Sequence, residues 1–166
     1  MDNDLLKMTH SVVAGNVKRT LVLLIESGSD LKKSIEDVFV QNDMKNAIII
    51  SGFGSMREVR LSNVTLPVTI PPTHTKTIVN GPVEMLSMDG NVVYFHEIGK
   101  DPVLSCHIHV AVSSPEGKVV GGSLADGSIV WRQAEILLAE LDHVGLSREP
   151  NPETKGAHGR LVIRSM

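Results

Sequence analysis

His107 and His109 are the two side chains whose type and spacing point most directly to chemistry. Alternate residues of a strand project to one face, so imidazoles at i and i+2 can share a metal ion. They can equally serve as hydrogen-bonding groups in a semi-polar pocket. Val103, Ser105 and Ala111 fall on the same face as the pair, while Leu104, Cys106, Ile108, Val110 and Val112 fall on the other. That apolar company predicts a buried, inert thiol for Cys106. Its adjacency to His107 does not make a nucleophile and base, because strand neighbours point opposite ways. Ser114-Pro115-Glu116-Gly117-Lys118 suits a three-residue hairpin loop with Gly117 in the left-handed position. If Ser114 pairs with Lys118, counting back puts Ser123 opposite His109, where a third ligand would be expected. A serine hydroxyl is a poor zinc ligand, so the set reads as incomplete.

Other chemistries find less support. Gly52-Phe53-Gly54 follows an apolar strand, but Arg57 stands where a dinucleotide loop needs its third glycine, and an alternating segment follows rather than a helix. A tight turn is the plainer reading. Ser55, Ser87, Ser113 and Ser123 sit in no Gly-x-Ser-x-Gly elbow. The net charge of −3 argues against gripping nucleic acid through bulk positive charge. Aromatic residues are only 3%, too few for a base-stacking platform. The longest aliphatic run, Leu21 to Ile25, is too short to cross a bilayer. No signal-peptide pattern opens the sequence, and a lone cysteine suits a reducing compartment, so a cytoplasmic location is expected.

The elements that must position these residues are mostly strands. The chain has 166 residues, which suits one domain with a tail. Branched aliphatics outnumber alanine and favour a pleated, half-buried surface. Lys18 to Glu26 reads as a buried strand. Leu31, Ile35, Val38 and Phe39 make one apolar stripe after a cap at Ser29 or Asp30, which predicts a helix over about 30–42. Ala47 to Ser51 reads as a buried strand, Gly52 to Ser55 as a turn, and Met56 to Val64 as an alternating strand. Pro67, Pro71 and Pro72 make residues 65–76 a loop or edge excursion. Val83 to Val93, Val103 to Val112 and Val119 to Leu124 read as strands. Trp131 to Leu141 has helical propensity but could be a strand buried on both faces. After His143 the chain turns polar, with a short closing strand expected at Leu161-Val162-Ile163. The expected organisation is an extension over 1–16, a domain over 17–142 and a tail over 143–166. The expected fold is α+β: one domain with a mostly antiparallel sheet flanked by one helix.

Four blocks carry a family resemblance. Gly81-Pro82-Val83-Glu84-Met85-Leu86-Ser87-Met88-Asp89-Gly90-Asn91 resembles the Gly-Arg-Phe-Glu-Ile-Leu-Ser-Leu-Ser-Gly motif of the PPC (plants and prokaryotes conserved) domain. Ser51-Gly52-Phe53-Gly54-Ser55 resembles its Ser-Gly-x-Gly segment. Cys106 to Val110 resembles its His-x-His strand, and Gly117 to Leu124, through Gly121 and Gly122, its Gly-Gly-His-Leu strand. The resemblance implies a single α/β domain that assembles as a trimer and settles Trp131 to Leu141 as strand. Gly81, Glu84, Leu86, Gly90, Asn91, Gly121 and Gly122 are then motif and assembly positions. Prokaryotic members are provisionally described as DNA-binding proteins, and plant relatives carry separate AT-hooks. Several prokaryotic members hold a metal, zinc by expectation, on three histidines of two paired strands. His107 and His109 match two of these, and Ser123 stands at the third. Pro82 and Val83 replace the motif's Arg and Phe, so contacts through those side chains do not carry over.

Two functions follow. One is a non-enzymatic assembly or regulatory domain, a homotrimer, associated with DNA by family but disfavoured as a direct binder by its charge. Lys18, Arg19, Arg57, Arg60 or Arg132 could still gather charge on one face. The other is a small-molecule or metal-dependent enzymatic site around His107 and His109, with Glu84, Asp89, His96 and Ser123 as candidate support. The first is preferred. Zinc is expected to be held weakly, with no cofactor at full occupancy, and His74, His96 or a neighbouring subunit are candidates for the missing ligand. No membrane contact is expected.

Overall fold

A computed structural model of the chain describes residues 11–155 and 159–166. Of the expected N-terminal extension, residues 1–10 lie outside the described residues. The described elements are β1 (Asn16–Glu26), α1 (Leu31–Gln41), β2 (Ala47–Val64), β3 (His74–Phe95), β4 (Val103–Ser113), β5 (Val119–Leu124), β6 (Ile129–Asp142), β7 (Val144–Pro150) and β8 (Gly159–Ser165), with a 3-10 turn at Pro152–Thr154. The strands form one sheet in the order β1-β6-β2-β5-β4-β3-β7-β8, and β2 also pairs with β3. All pairings are antiparallel except β3 with β7. The fold is therefore α+β, as expected.

The helix forms where the stripe predicted it. Asp30 caps it, its Oδ1 accepting from the Lys33 N–H at 3.1 Å, while Oδ2 accepts from the Gly127 N–H at 2.7 Å. This one side chain ties the helix start to the turn before β6. Leu31, Ile35 and Phe39 are fully buried, and α1 packs against β4 and β6. Phe39 meets Tyr94 edge to face at a centroid distance of 5.7 Å. The core between helix and sheet also holds Ile49, Met56, Val92, Ile108, Ile136 and Leu138.

Several expectations need correction. Gly52 to Ser55 is no turn; β2 runs unbroken through it. The glycines serve close strand approach instead. A Cβ on Gly52 would stand 2.8 Å from the Met88 Cβ and 2.9 Å from the Ile136 Cδ1, so only glycine fits between β3 and β6. β3 starts at His74, not Val83, because His74–Asn80 pairs with Glu58–Val64 as an arm. That segment is almost wholly exposed, so no apolar alternation marked it. The prolines Pro67, Pro71 and Pro72 stay in the connection, which is closed by the Thr65 N–H donating to the Thr73 carbonyl at 2.9 Å. β1 is not buried on both faces. It has β6 alone as partner, and Val22 and Leu24 are 79% and 55% exposed. Trp131 to Leu141 is strand, inside β6 between β1 and β2, as the resemblance implied. Residues after His143 add two strands rather than one. β8 contains Leu161 to Ile163, and β7 lies beside β3 with Phe95 next to Arg148. Polar Ser147, Arg148 and Glu149 hid β7 from pattern reading.

Candidate functional site

The hairpin register is the one counted from the sequence. The Ser114 N–H donates to the Lys118 carbonyl at 2.9 Å, Gly117 has φ 76°, and His109 pairs with Ser123. Ser123 pairs in turn with Ser62 of β2, while β3 sets Asp89 opposite His109 and Asn91 opposite His107. Paired residues of antiparallel strands share a face. One polar row therefore crosses four strands: Asp89, His109, Ser123, Ser62.

The imidazoles converge. Nε2 of His107 lies 3.0 Å from Nε2 of His109, with ring centroids 5.0 Å apart. At that distance one nitrogen donates its proton to the other's lone pair. The rings border a cavity of about 750 Å³, which Ser105, Ser123, His74 and Arg148 also line. The cavity exists because β5 pairs with β4 over His109–Ser113 and no further, leaving the edge from Val103 to Ile108 without a strand partner on that side among the described residues. At this open edge both faces of β4 are reachable, so Cys106 and Lys32 border the same space. Cys106 nevertheless packs against the core. Burial pushes its thiol up to about 12, which keeps it protonated and inert, in line with the sequence reading.

The donors present fall short of a tight zinc set. Two imidazoles are placed to share an ion, but the third position offers a hydroxyl, and among the described residues no three His, Cys, Asp or Glu side chains converge. Glu84, Asp89 and His96 do not line the cavity. Glu84 is exposed between Ser55 and Ser113, and His96 uses its backbone N–H to bind the Arg148 carbonyl at 2.8 Å. The motif glycines serve packing: Gly90 lies between Ile49 and Ile108, Gly121 and Gly122 oppose Ala111 and Val110, and Gly81 presses against the Met56 carbonyl. Leu86 is exposed.

Arg148 was missed, since nothing in a polar tail marked it. Its Nη1 donates to the Gly159 carbonyl at 2.9 Å and its Nη2 to the Asn91 Oδ1 at 3.3 Å. Lys32 also borders the cavity and is already paired, its Nζ 2.7 Å from Asp126 and 3.9 Å from Glu36.

Fold and pocket together define a one-sheet α+β domain with a polar cavity, lined by His74, His107 and His109, at the open edge of β4. Residues 12–142 match the Plants and Prokaryotes Conserved (PCC) domain, the family also abbreviated PPC, and the chain belongs to that family. It is 28% identical over 138 residues to the bifunctional protein GlmU of Synechococcus sp. (strain JA-3-3Ab), a match covering 82% of this chain and 19% of that protein. It is 22% identical over 152 residues to the AT-hook motif nuclear-localized protein 8 of Arabidopsis thaliana, covering 85% of this chain and 37% of that one. The chain thus spans well under half the length of these curated relatives. Among solved structures, a metal-containing protein from Archaeoglobus fulgidus superposes with a TM-score of 0.73 at 26% identity, covering 89% of this chain and 96% of that one. No helix among the described residues is long and apolar enough to cross a membrane.

Proposed function

We propose that this chain is a non-enzymatic regulatory assembly domain, working as a homotrimer in the cytoplasm and associated with DNA through its partners more than through its own surface. The observation that carries the reading is the apolar outer face of the sheet. Val22 and Leu24 on β1, Leu137 on β6, and Ile50 and Phe53 on β2 lie on this face, with Val22 paired to Leu137, Leu137 to Ser51, and Glu135 standing between Leu24 and Phe53. Val22, Leu24, Ile50 and Phe53 are each about half exposed or more. Exposed apolar side chains gathered on one face of a small domain mark an interaction surface, and like copies in closed symmetry are the commonest partner. The plant AT-hook relatives support the association with DNA. The chain's own net charge of −3 limits counterion release, so its direct binding is weak and non-specific. Zinc at His107 and His109 is held weakly, because the third donor is Ser123.

Light scattering across the micromolar range should give three times the chain mass, and Val22→Asp with Phe53→Asp should lower it. A monomer at all concentrations would overturn the assembly reading. Anisotropy titration with duplex DNA at physiological salt should show no selective binding. A sequence-selective dissociation constant of about 10⁻⁸ M or tighter would overturn the second part.

A further inference from the structure

The cavity beside His107 holds one cation, Arg148, that no acid balances among the described residues. Arg148 and Lys32 are the cations that line it, and among the described residues no aspartate or glutamate does. Lys32 is neutralised by Asp126 and Glu36. Arg148 is not: among the described residues its guanidinium bonds only to a carbonyl and an amide oxygen, both neutral. Its Nε is buried without a hydrogen-bond partner among the described residues. Two of its five N–H donors are therefore in use among the described residues. Partial burial of the guanidinium pushes its pKa down, by removing some of its water.

The placement of this cation is specific. Asn91, which holds Nη2, pairs with His107 across β3 and β4. The guanidinium and the two imidazoles thus flank one floor, with the Ser105 and Ser123 hydroxyls beside them. A buried donor without a partner and a partly desolvated charge without a counter-ion both cost free energy. An anionic oxygen relieves both, whereas a neutral ligand relieves only the first. Guanidinium is the group whose fork matches carboxylate and phosphate oxygens. The volume sets the rest of the ligand. At about 750 Å³ the cavity is many times a water's share of roughly 30 Å³ and falls in the ordinary range of small-molecule sites.

We propose that this cavity binds a small organic oxyanion, a carboxylate or a phosphate monoester, with Arg148 as the residue that recognises its charge. The proposal goes beyond the assembly reading and stands whatever the oligomeric state. It makes the domain a ligand-responsive one, in which an anion braces β7, through Arg148, against the polar floor of β3 and β4.

Calorimetric titration with citrate, with glycerol 3-phosphate and with neutral glycerol tests it. We expect at least one anion to bind with a dissociation constant between roughly 10 µM and 1 mM, as suits a partial ligand engaging one main charge, and glycerol to give no heat. Binding by citrate alone assigns a carboxylate, and binding by glycerol 3-phosphate alone a phosphate ester. Arg148→Met should weaken binding by about tenfold or more. Lys33→Met, which removes an exposed charge on the outer side of α1, should leave it unchanged. Arg148 also braces Gly159, so its loss could loosen β7 and β8. The unaltered protein therefore gives a second readout: saturating anion should shift the imidazole NMR signals of His107 and His109 and spare that of His143, at the β6–β7 junction. The proposal is overturned if neither anion binds below about 10 mM, if Arg148→Met folds and binds as the parent does, or if the His107 and His109 signals stay still.

Discussion

Ser123→His tests the geometry of the pocket most directly. The Nε2 atoms of His107 and His109 are 3.0 Å apart. With zinc–nitrogen bonds of about 2.05 Å, that separation corresponds to an N–Zn–N angle of roughly 94°, against roughly 109° for a tetrahedral site. Reaching the tetrahedral value requires about 3.35 Å, an opening of about 0.35 Å that small side-chain rotations supply. Two of three imidazoles are therefore already in place. Ser123 pairs with His109, and paired positions on one face set their Cβ atoms about 4.5–5.5 Å apart. A histidine there extends its ring over the same face as its neighbour. The parent protein should retain well under one zinc per chain after dialysis against metal-free buffer, because two imidazoles and a protonated hydroxyl hold the ion poorly. Ser123→His should approach one per chain. Its affinity should rise by about 100-fold or more, since losing even a supporting partner of a ligand costs about 10–100-fold. His107→Ala in that background should abolish the gain. Elemental analysis and competition with a chelating dye measure both quantities. Full zinc in the parent would refute the incomplete set and point to His74, which lines the same cavity. No gain on Ser123→His would refute the convergence of the three positions.

Three further outcomes are expected. Glu140 is 1% exposed and accepts from Arg19 Nε at 2.7 Å, Lys18 Nζ at 3.2 Å and the Lys45 N–H at 3.3 Å. Burial pushes its carboxyl up, but these donors outweigh it and leave the pKa below the usual value. A lowered folded-state pKa contributes stability that is present above the unfolded-state value and lost as pH falls through the folded one. Glu140→Gln should thus cost about 1–3 kcal/mol at neutral pH in urea unfolding, and the gap from the parent should narrow below about pH 4; a gap constant with pH would disprove the ionic account. Cys106, held protonated by burial, should react with a thiol reagent at mildly alkaline pH only on unfolding, and rapid modification of the native protein would contradict this. Gly90 has φ 150°, and a Cβ there would stand 2.2 Å from the His107 carbonyl oxygen. Gly90→Ala should lose about 2 kcal/mol or more and disturb the His107 imidazole signal; an unchanged melting temperature would show that β3 and β4 separate more easily than their packing implies.

What the sequence determined by itself was what local rules control. The helix was legible because its apolar stripe and Asp30 cap are written within a dozen residues. The register of His109 against Ser123 was legible because a short hairpin loop fixes the count on both its strands, and strand alternation then put both histidines on one face and Cys106 on the other. The fate of Trp131 to Leu141 was not in its own residues. Their propensity favours helix, and only the family resemblance pointed to the strand that β1 and β2 enclose. Gly52 and Gly54 look locally like a turn, and their use for close contact with β3 and β6 is visible only when three strands are assembled. Arg148 lay furthest from sequence reading. Its significance comes from a parallel pairing of β7 with β3 across some fifty residues of chain, which sets a lone guanidinium beside Asn91 and the histidine floor. No pattern within β7 encodes that neighbour, because the neighbour is supplied by a distant strand. The sequence could thus name the histidines, but tertiary structure alone decided what charge stands beside them.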